Sequence, residues 1–304
     1  VDPVDVSQPL KFATVPVTSN NDLREGFPDR HLALSFRGRA LRYSNTSGTT
    51  GRPLLLIQDT RDIAMKYASI LRSRVVAGVD PLSRQVRLTP NECQPALPSG
   101  DSPIHMNPLH RDHATPGRRS ALFVFMEKQI VNPIIHARHM LEPFWKGPGG
   151  AGPVDYDKYL AQIDALKPEV LSIYPLYALL LAKHLRRTGQ KPPKIAQLID
   201  FSGALAPPSL SKFVGETFGV RTAQSCGGCE FARYGASCPD DPTRMHLAES
   251  YAYVEVVRSD GSLCAPGELG NLIVTSLHSW AMPIIRLEPG DVGADAGRGG
   301  IQAE

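Results

Sequence analysis

The sequence predicts an α/β protein in which mostly parallel sheets are flanked by helices, with an antiparallel β portion toward the C-terminus. Strand-like and helix-like segments alternate between residues 155 and 218, which favours parallel strands joined by helices. Two further strand-like segments flank Asp260-Gly261, a dipeptide typical of turns between antiparallel strands. The 304 residues, 42% of them hydrophobic, suffice for one large domain or two small ones.

The individual elements follow from hydrophobic spacing and capping residues. Asp59 or Thr60 is predicted to cap a helix, and Asp155 a second helix that Pro168 ends. The first helix has an apolar side at helical spacing, formed by Ile63, Tyr67, Ile70, Leu71 and Val75. The remaining predicted elements are strands at 170–173 and 195–201, helices at 176–187 and 209–218, and antiparallel strands at 251–257 and 272–277.

Two loop-like stretches divide the chain. Residues 89–118 are rich in Pro, Gly and His, and residues 145–153 have the composition of a flexible connector. We therefore expect two lobes, residues 1–150 and 151–304. For His105, His110 and His113 in the first stretch, an exposed loop is favoured over a metal site, because no carboxylate or thiol accompanies them.

Charge and composition exclude several classes of partner. The net charge of +3 is small and spread along the chain, so neither nucleic acid nor a membrane surface is indicated. The basic segment 183–194 is interpreted as a solvated helix end, with a carrier-protein or nucleic-acid dock as the alternative. The longest apolar stretches, 121–126 and 173–182, fall short of the roughly 20 residues of a membrane helix. No secretory signal is expected at the N-terminus, which has no initiator Met, and five unevenly spaced cysteines favour a reducing cytoplasm.

A run of hydroxyl and glycine residues near the start suits a polyphosphate. Glycines let the backbone turn its N–H groups toward one point, and hydroxyl side chains add further donors. No Lys follows in the Walker pattern, so an ordinary P-loop is excluded; a polar turn between two strands is the alternative. The run is Thr46-Ser47-Gly48-Thr49-Thr50-Gly51-Arg52-Pro53.

This run resembles the phosphate loop of the adenylate-forming superfamily, which comprises acyl- and aryl-CoA ligases, luciferases and peptide-synthetase adenylation domains. Four more stretches match in the family's order, and together they resemble the N-terminal domain of the phenylacetate-CoA ligase branch. Residues 12–28 look like its lead-in and residues 167–179 like its acyl-pocket segment. Phe201-Ser202-Gly203-Ala204 resembles the turn that backs the adenine ring, and residues 267–291 resemble the strand and ribose-binding turn.

The resemblance implies ATP and Mg²⁺ as cofactors and assigns roles to particular residues. Glu230 matches the carboxylate that binds Mg²⁺, and with Thr49 it is the expected catalytic residue. Asp291 and Arg286 match residues near the ribose, and Gly203 and Ala204 those at adenine. The expected substrate pocket consists of Tyr174, Tyr177, Phe125, Gly227, Gly228 and Cys229.

The chain also departs from the family's pattern. Cys226 replaces the aromatic residue that packs on adenine, and Cys229 replaces a hydroxyl residue. Four residues are of the types that bind zinc in proteins, namely Cys226, Cys229, Cys238 and His246. Some members of the branch look as if they pair a Cys and a His like Cys238 and His246 with two later thiols, which are missing from residues 294–298. Cysteines packed as small hydrophobic residues are therefore favoured over bound zinc.

We therefore expect an enzyme that activates a carboxylic acid, aryl or apolar, to an acyl-adenylate and passes it to coenzyme A or a carrier-protein thiol. The family's small C-terminal domain and its catalytic lysine are absent from this sequence, which ends at Glu304. A homodimer is a further expectation. The alternative is a homologue that binds a nucleotide or a partner without turnover, which the Cys226 and Glu288 departures favour.

Overall fold

A computed structural model describes residues 12–39, 41–46, 54–89, 139–144, 153–241, 243–297 and 299–303. The helices in these ranges are α1 (Asn20–Arg24), α2 (Thr60–Val76), α3 (Tyr156–Leu166), α4 (Pro175–Thr188) and α5 (Pro208–Phe218). A 3₁₀ turn covers Leu34–Phe36. Phe125, the three loop histidines 105, 110 and 113, and residues 47–51 of the phosphate loop lie outside the described residues.

The strands are numbered in chain order. They are β1 (Arg42–Asn45), β2 (Leu55–Gln58), β3 (Gln85–Leu88), β4 (His139–Met140), β5 (Val170–Ile173), β6 (Leu198–Phe201), β7 (Thr222–Gly228), β8 (Ala232–Ser237), β9 (Met245–Leu247), β10 (Ala252–Val257), β11 (Leu269–Ser276), β12 (Val292–Gly297) and β13 (Gly300–Ala303). Strands β1 and β2 form an antiparallel hairpin outside the main sheet.

Eleven of the described strands form one continuous sheet with the order β10-β11-β12-β13-β9-β8-β7-β6-β5-β3-β4. The pairs from β7 to β4 are parallel, and the pairs from β7 to β10 are antiparallel. The predicted fold class, parallel strands followed by an antiparallel portion, is therefore confirmed. Strands β3 and β4 share this sheet with β5, so the pairing continues across the predicted boundary at residue 150.

Strand β7 joins the two parts of the sheet. Its first half, Thr222 to Gln224, pairs in parallel with β6, and its second half, from Ser225, pairs antiparallel with β8. The register shifts between Cys226 and Gly227, a bulge that bends the strand. The Gly228-to-Glu230 turn therefore follows the antiparallel half of β7, beyond its pairing with β6.

Most of the predicted elements are present with small shifts in their bounds. Asp155 caps α3 and Pro168 follows its end, as expected, and the strand predicted at 195–201 is shorter, starting at Leu198. Strands β10 and β11 pair antiparallel, and Gly261 has a φ of 83° that suits the predicted turn. The connection from β10 to β11 is longer than a simple hairpin, because Val257 first forms a bridge with Leu263.

Helix α2 buries a different side from the apolar one that its hydrophobic pattern identifies. Asp59 caps the helix as predicted, with its carboxylate accepting hydrogen bonds from the backbone of Arg61 and Asp62. However, the buried residues are Asp62, Lys66, Ser69, Ser73 and Arg74. On the apolar side, Ile63 and Tyr67 are only half-buried and Val75 is 58% exposed. The polar side faces β8, where Arg233 donates hydrogen bonds to Ser69 and Ser73.

Two main hydrophobic clusters support the sheet. One packs β3, β5 and β6 against α3, α4 and α5. The other combines the antiparallel strands with the β1–β2 hairpin and includes Leu54, Phe231 and Tyr234. The hairpin is thereby anchored beside the segment that follows β7. Within the ranges described, the helices are too short or too polar to cross a bilayer.

Candidate active site

The predicted functional segments follow neighbouring parallel strands. Tyr174 comes directly after β5, Gly203 follows β6, and Glu230 follows β7. Because the carboxyl ends of parallel strands meet at one edge of a sheet, these segments lie along the same edge, the usual place for ligands in α/β proteins. Gly203 has a φ of 91°, and both it and Ala204 are exposed there.

The turn after β7 requires its two glycines for different reasons. A Cβ on Gly227 would lie 1.6 Å from the carbonyl oxygen of Ala232, because the β7 and β8 backbones approach closely. A Cβ on Gly228 would lie 2.5 Å from Oε2 of Glu230. The Glu230 carboxylate therefore lies over Gly228, in the space that a side chain would fill.

Glu230 is a half-buried carboxylate in a charged neighbourhood. Burial raises the pKa of its carboxyl group above the ordinary value. The Lys66 ammonium lowers this pKa and the Asp291 carboxylate raises it, so both charges act on Glu230. Within the described ranges, no side chain donates a hydrogen bond to the Glu230 carboxylate.

Asp291 is held by a tyrosine from β8. The Tyr234 hydroxyl donates a hydrogen bond of 3.0 Å to Oδ2 of Asp291. Tyr234 is 1% exposed, and burial raises the pKa of its phenol well above the usual value, so the hydroxyl remains a donor. Glu230 and Asp291, 61 residues apart in sequence, are thus within electrostatic reach of each other, and both act on the Tyr234 phenol.

Thr46, the first residue of the phosphate loop, and Leu54, the residue after the loop, are hydrogen-bonded to each other. The Thr46 backbone N–H donates to the Leu54 carbonyl, and the Leu54 N–H donates to Oγ1 of Thr46, both at 2.9 Å. Leu54 is 1% exposed and belongs to the same cluster as Phe231, the residue after Glu230. The base of the loop is therefore closed and shares a core with the Glu230 turn. The meeting of Thr49 with Glu230 stays a prediction.

Arg286 forms its side-chain hydrogen bonds with residues other than Asp291. It is 2% exposed, its Nε donates to the Glu255 carboxylate at 3.0 Å, and its Nη1 donates to the carbonyls of Ala13 and Val15. Its φ of 48° is unusual for a residue other than glycine. The arginine thereby fastens the N-terminal segment to β10. Its expected contact with ribose stays a prediction.

The two tyrosines expected in the acid pocket belong to an aromatic cluster. The Tyr177 ring is stacked on Phe144, with ring centroids 4.3 Å apart. Tyr174 meets Tyr177 edge to face at 5.5 Å and is half-buried, whereas Tyr177 is 6% exposed. Tyr174, at the sheet edge, is therefore the more accessible of the two.

The cysteines differ in their surroundings. The Cys226 thiol is 3% exposed and lies 3.1 Å from the Met245 sulfur, and burial raises its pKa to about 12. Cys229 and Cys238 are half-buried, and His246 is exposed. No three or more His, Cys, Asp or Glu residues are grouped to hold a metal ion within the ranges described. Zinc at Cys238 and His246 therefore has no complete ligand set among them.

Sequence reasoning did not identify Lys66 and Tyr234 as site residues. Each contacts a predicted site residue that is distant in sequence, so no local motif marks it. The polar residues Asp62, Lys66, Ser69 and Ser73 are spaced at i, i+4, i+7 and i+11. This helical spacing was a signal that a polar side of α2 faces the protein.

The carboxylates present fit a hard divalent cation. Among the described residues, no side chain donates a hydrogen bond to the Glu230 carboxylate, so its oxygens are available to a cation. A second carboxylate, Asp291, is within electrostatic reach of Glu230. Mg²⁺ is usually bound through one or two carboxylates together with substrate phosphates. The arrangement therefore suits Mg²⁺ better than zinc, which favours Cys and His ligands.

Comparison with known proteins gives two related sequences. The chain is 26% identical over 284 residues to a phenylacetate-coenzyme A ligase of Thermus thermophilus, covering 91% of this chain and 55% of that protein. It is 21% identical over 294 residues to a phenylacetate-coenzyme A ligase of Pseudomonas putida, covering 95% and 58%. The chain thus spans a little over half the length of these curated relatives. No family model matches the chain.

Solved structures with a similar fold include acyl-CoA ligases. An open conformation of 2-hydroxyisobutyryl-CoA ligase in complex with 2-HIB-AMP and CoA has a TM-score of 0.68 and 19% identity, covering 100% of this chain and 66% of that one. A long-chain-fatty-acid-CoA ligase from Archaeoglobus fulgidus has a TM-score of 0.53 and 17% identity, covering 87% and 50%. The predicted resemblance to adenylate-forming acyl-CoA ligases is confirmed at the level of sequence similarity and fold.

Proposed function

We propose that this chain is the nucleotide- and acid-binding part of a ligase that activates a carboxylic acid with ATP and transfers the acyl group to coenzyme A. The observation that carries the proposal is the hydrogen bond by which Tyr234 holds Asp291, within electrostatic reach of Glu230. The two residues come from motifs that the resemblance assigns to Mg²⁺ and ribose. Similarity to phenylacetate-coenzyme A ligases supports an aryl or apolar acid as the substrate.

The chemistry would proceed in two displacements. In the first, a carboxylate oxygen of the acid attacks the α-phosphorus of ATP, the bond to pyrophosphate breaks, and an acyl-adenylate forms. In the second, the coenzyme A thiol, losing its proton, attacks the acyl carbon and AMP leaves. A carrier-protein thiol is the other acceptor that the family resemblance allows, and assays that supply each thiol separately distinguish the two.

The chain's own residues would act mainly by positioning and by charge. Residues 47–51 would supply backbone N–H and hydroxyl donors to the phosphates, and Thr46, whose N–H is bonded to Leu54, would supply its hydroxyl. Asp291, oriented by Tyr234, would accept hydrogen bonds from the ribose. Glu230 would hold Mg²⁺, which when bound neutralises phosphate charge. Tyr174 lies at the same sheet edge and is available to contact the acid.

Acid-dependent exchange of radioactive pyrophosphate into ATP tests the first displacement. We expect exchange with at least one acid from a panel of aryl and apolar acids, measured with the chain and with any longer natural form. Glu230→Ala is expected to abolish it. Absence of exchange with every acid, together with absence of ATP binding by calorimetry, would contradict the proposal.

A homologue that binds nucleotide without turnover is the second candidate, and the position of Cys226 favours it. Where relatives present an aromatic ring to adenine, this chain has a thiol that is 3% exposed and packed on Met245. Retained ATP binding that depends on Glu230, without exchange in any form of the protein, would support this candidate over the ligase.

A further inference from the structure

Helix α2 carries a buried lysine, Lys66, that contacts the Gly228-to-Glu230 turn. Lys66 is 6% exposed and belongs to the buried polar side of the helix, with Asp62 at 1% and Ser69 at 4%. Removing an ammonium group from water is costly unless its charge is paired and its N–H groups are hydrogen-bonded. The contacts of Lys66 therefore have to compensate for the cost of burying its ammonium group.

Lys66 connects two parts of the candidate site. Its Nζ donates a hydrogen bond of 3.2 Å to the carbonyl oxygen of Cys229 and lies 3.3 Å from Oδ2 of Asp62. The other oxygen of Asp62 accepts a hydrogen bond of 3.1 Å from Ser279. One buried chain of contacts thus joins α2 to the residue before Glu230 and to the segment between β11 and Asp291.

The Cys229 carbonyl is well placed to fix Glu230. Cys229 and Glu230 are adjacent, and the Glu230 carboxylate folds back over Gly228. A hydrogen bond to the intervening carbonyl therefore limits how far the turn can move. The ammonium also acts on the Glu230 carboxylate by its positive charge, which lowers the pKa of Glu230 and opposes the effect of the Asp291 carboxylate.

We propose that Lys66 is a positioning residue that holds the Cys229–Glu230 turn in the geometry needed for Mg²⁺-dependent nucleotide binding. The proposal rests on the proposed function, because it names Glu230 as the residue on which Lys66 acts. Groups that orient metal-binding side chains commonly change metal affinity 10- to 100-fold when they are removed.

Calorimetry of ATP binding, with Mg²⁺ and with EDTA, tests this role in the whole chain. We expect Lys66→Met to weaken binding about tenfold or more in Mg²⁺ and to leave binding in EDTA nearly unchanged. Lys212→Met is the matched control, because Lys212 forms an exposed i,i+4 pair with Glu216 and is expected to have no effect. Asp62→Asn/Lys66→Met is measured beside the single variant, since it leaves no unpaired buried carboxylate.

A double-mutant cycle separates positioning from a general loss of structure. In a Glu230→Gln background, Lys66→Met should cause no further loss of affinity for ATP in Mg²⁺. The proposal would be overturned if Lys66→Met lowered ATP affinity equally with and without Mg²⁺. It would also be overturned if Lys66→Met lowered ATP affinity in the Glu230→Gln background as much as in the wild type.

Failure of the proposed function gives a different result. The wild-type chain then binds no ATP in Mg²⁺ or in EDTA. The urea midpoints of the wild type, Lys66→Met, Glu230→Gln and their double variant then decide the positioning role. If Lys66 acts on Glu230, the midpoint shifts of Lys66→Met and Glu230→Gln are non-additive. Additive shifts would overturn it.

Discussion

The Tyr234 hydroxyl, buried in strand β8, donates a 3.0 Å hydrogen bond to the carboxylate of Asp291, which lies 57 residues further along the chain. This contact orients one of the two acidic residues of the candidate site from inside the hydrophobic core. It places Asp291 within electrostatic reach of Glu230. Its removal is the first test of how the core supports the site.

Tyr234→Phe should weaken both the fold and nucleotide binding. Loss of a hydrogen bond to a charged group is expected to lower the free energy of unfolding by about 1.5–3 kcal/mol, measured by urea denaturation. AMP affinity should fall as Asp291 loses its orientation. Tyr43→Phe is the control, because the buried Tyr43 hydroxyl has no hydrogen-bond partner among the residues that the structure describes, and its loss should not destabilise the protein. Equal effects of the two changes would contradict this role for Tyr234.

Gly227→Ala and Gly228→Ala should have different effects. At Gly227 the new methyl group meets backbone at 1.6 Å, so the β7–β8 hairpin must distort and the melting temperature should fall sharply. At Gly228 it meets the end of the Glu230 side chain at 2.5 Å, which can move. We therefore expect Gly228→Ala to fold with a near-normal melting temperature but to bind ATP·Mg²⁺ about tenfold more weakly. Normal ATP affinity in Gly228→Ala would argue against a role for the Glu230 carboxylate.

Cys226 should resist alkylation at neutral pH. Burial raises the pKa of its thiol to about 12, so only a fraction on the order of 10⁻⁴ is thiolate at pH 8. Because the thiolate is the reactive form, labelling should increase as the pH rises toward this pKa and on unfolding in urea. Mass spectrometry after iodoacetamide treatment measures it, with the half-buried Cys238 as the internal comparison. Rapid labelling of native Cys226 at pH 8 would contradict its burial.

Arg286→Met should destabilise the fold strongly. The Arg286–Glu255 pair is almost fully buried, with side chains 3% and 2% exposed, so removing the arginine leaves an unpaired buried carboxylate. The expected loss is about 3–5 kcal/mol by urea denaturation. Glu255→Gln/Arg286→Met should recover part of it, because no uncompensated charge remains. A loss below 1 kcal/mol in the single variant, taking about that value as the limit for an exposed pair, would contradict a structural role.

The sequence predicts local features of this fold better than long-range ones. The Asp59 cap and the start of α2 follow from neighbouring residues, and both are present. Hydrophobic spacing also identifies which residues share a side of that helix. It cannot tell which side the rest of the chain covers, and so Asp62 and Lys66 are buried instead of Ile63.

In the candidate site, too, the sequence predicts local motifs better than contacts between distant residues. The motif around Glu230 and the Gly290-Asp291 turn are recognisable in sequence, and the structure has the two carboxylates within electrostatic reach of each other. Tyr234 and Lys66 act on residues 57 and 163 positions away. Such pairs depend on how β7, β8 and α2 pack together, which residue spacing does not determine.

The central claim is that one nucleotide binds across the phosphate loop, Glu230 and Asp291, and a crystal structure with ATP and Mg²⁺ bound tests it most directly. We predict phosphates between residues 46–51 and the Glu230 carboxylate, Mg²⁺ on that carboxylate, and the ribose hydroxyls within hydrogen-bonding distance of Asp291. A nucleotide bound elsewhere, or one whose phosphates lie far from Glu230, would contradict the account.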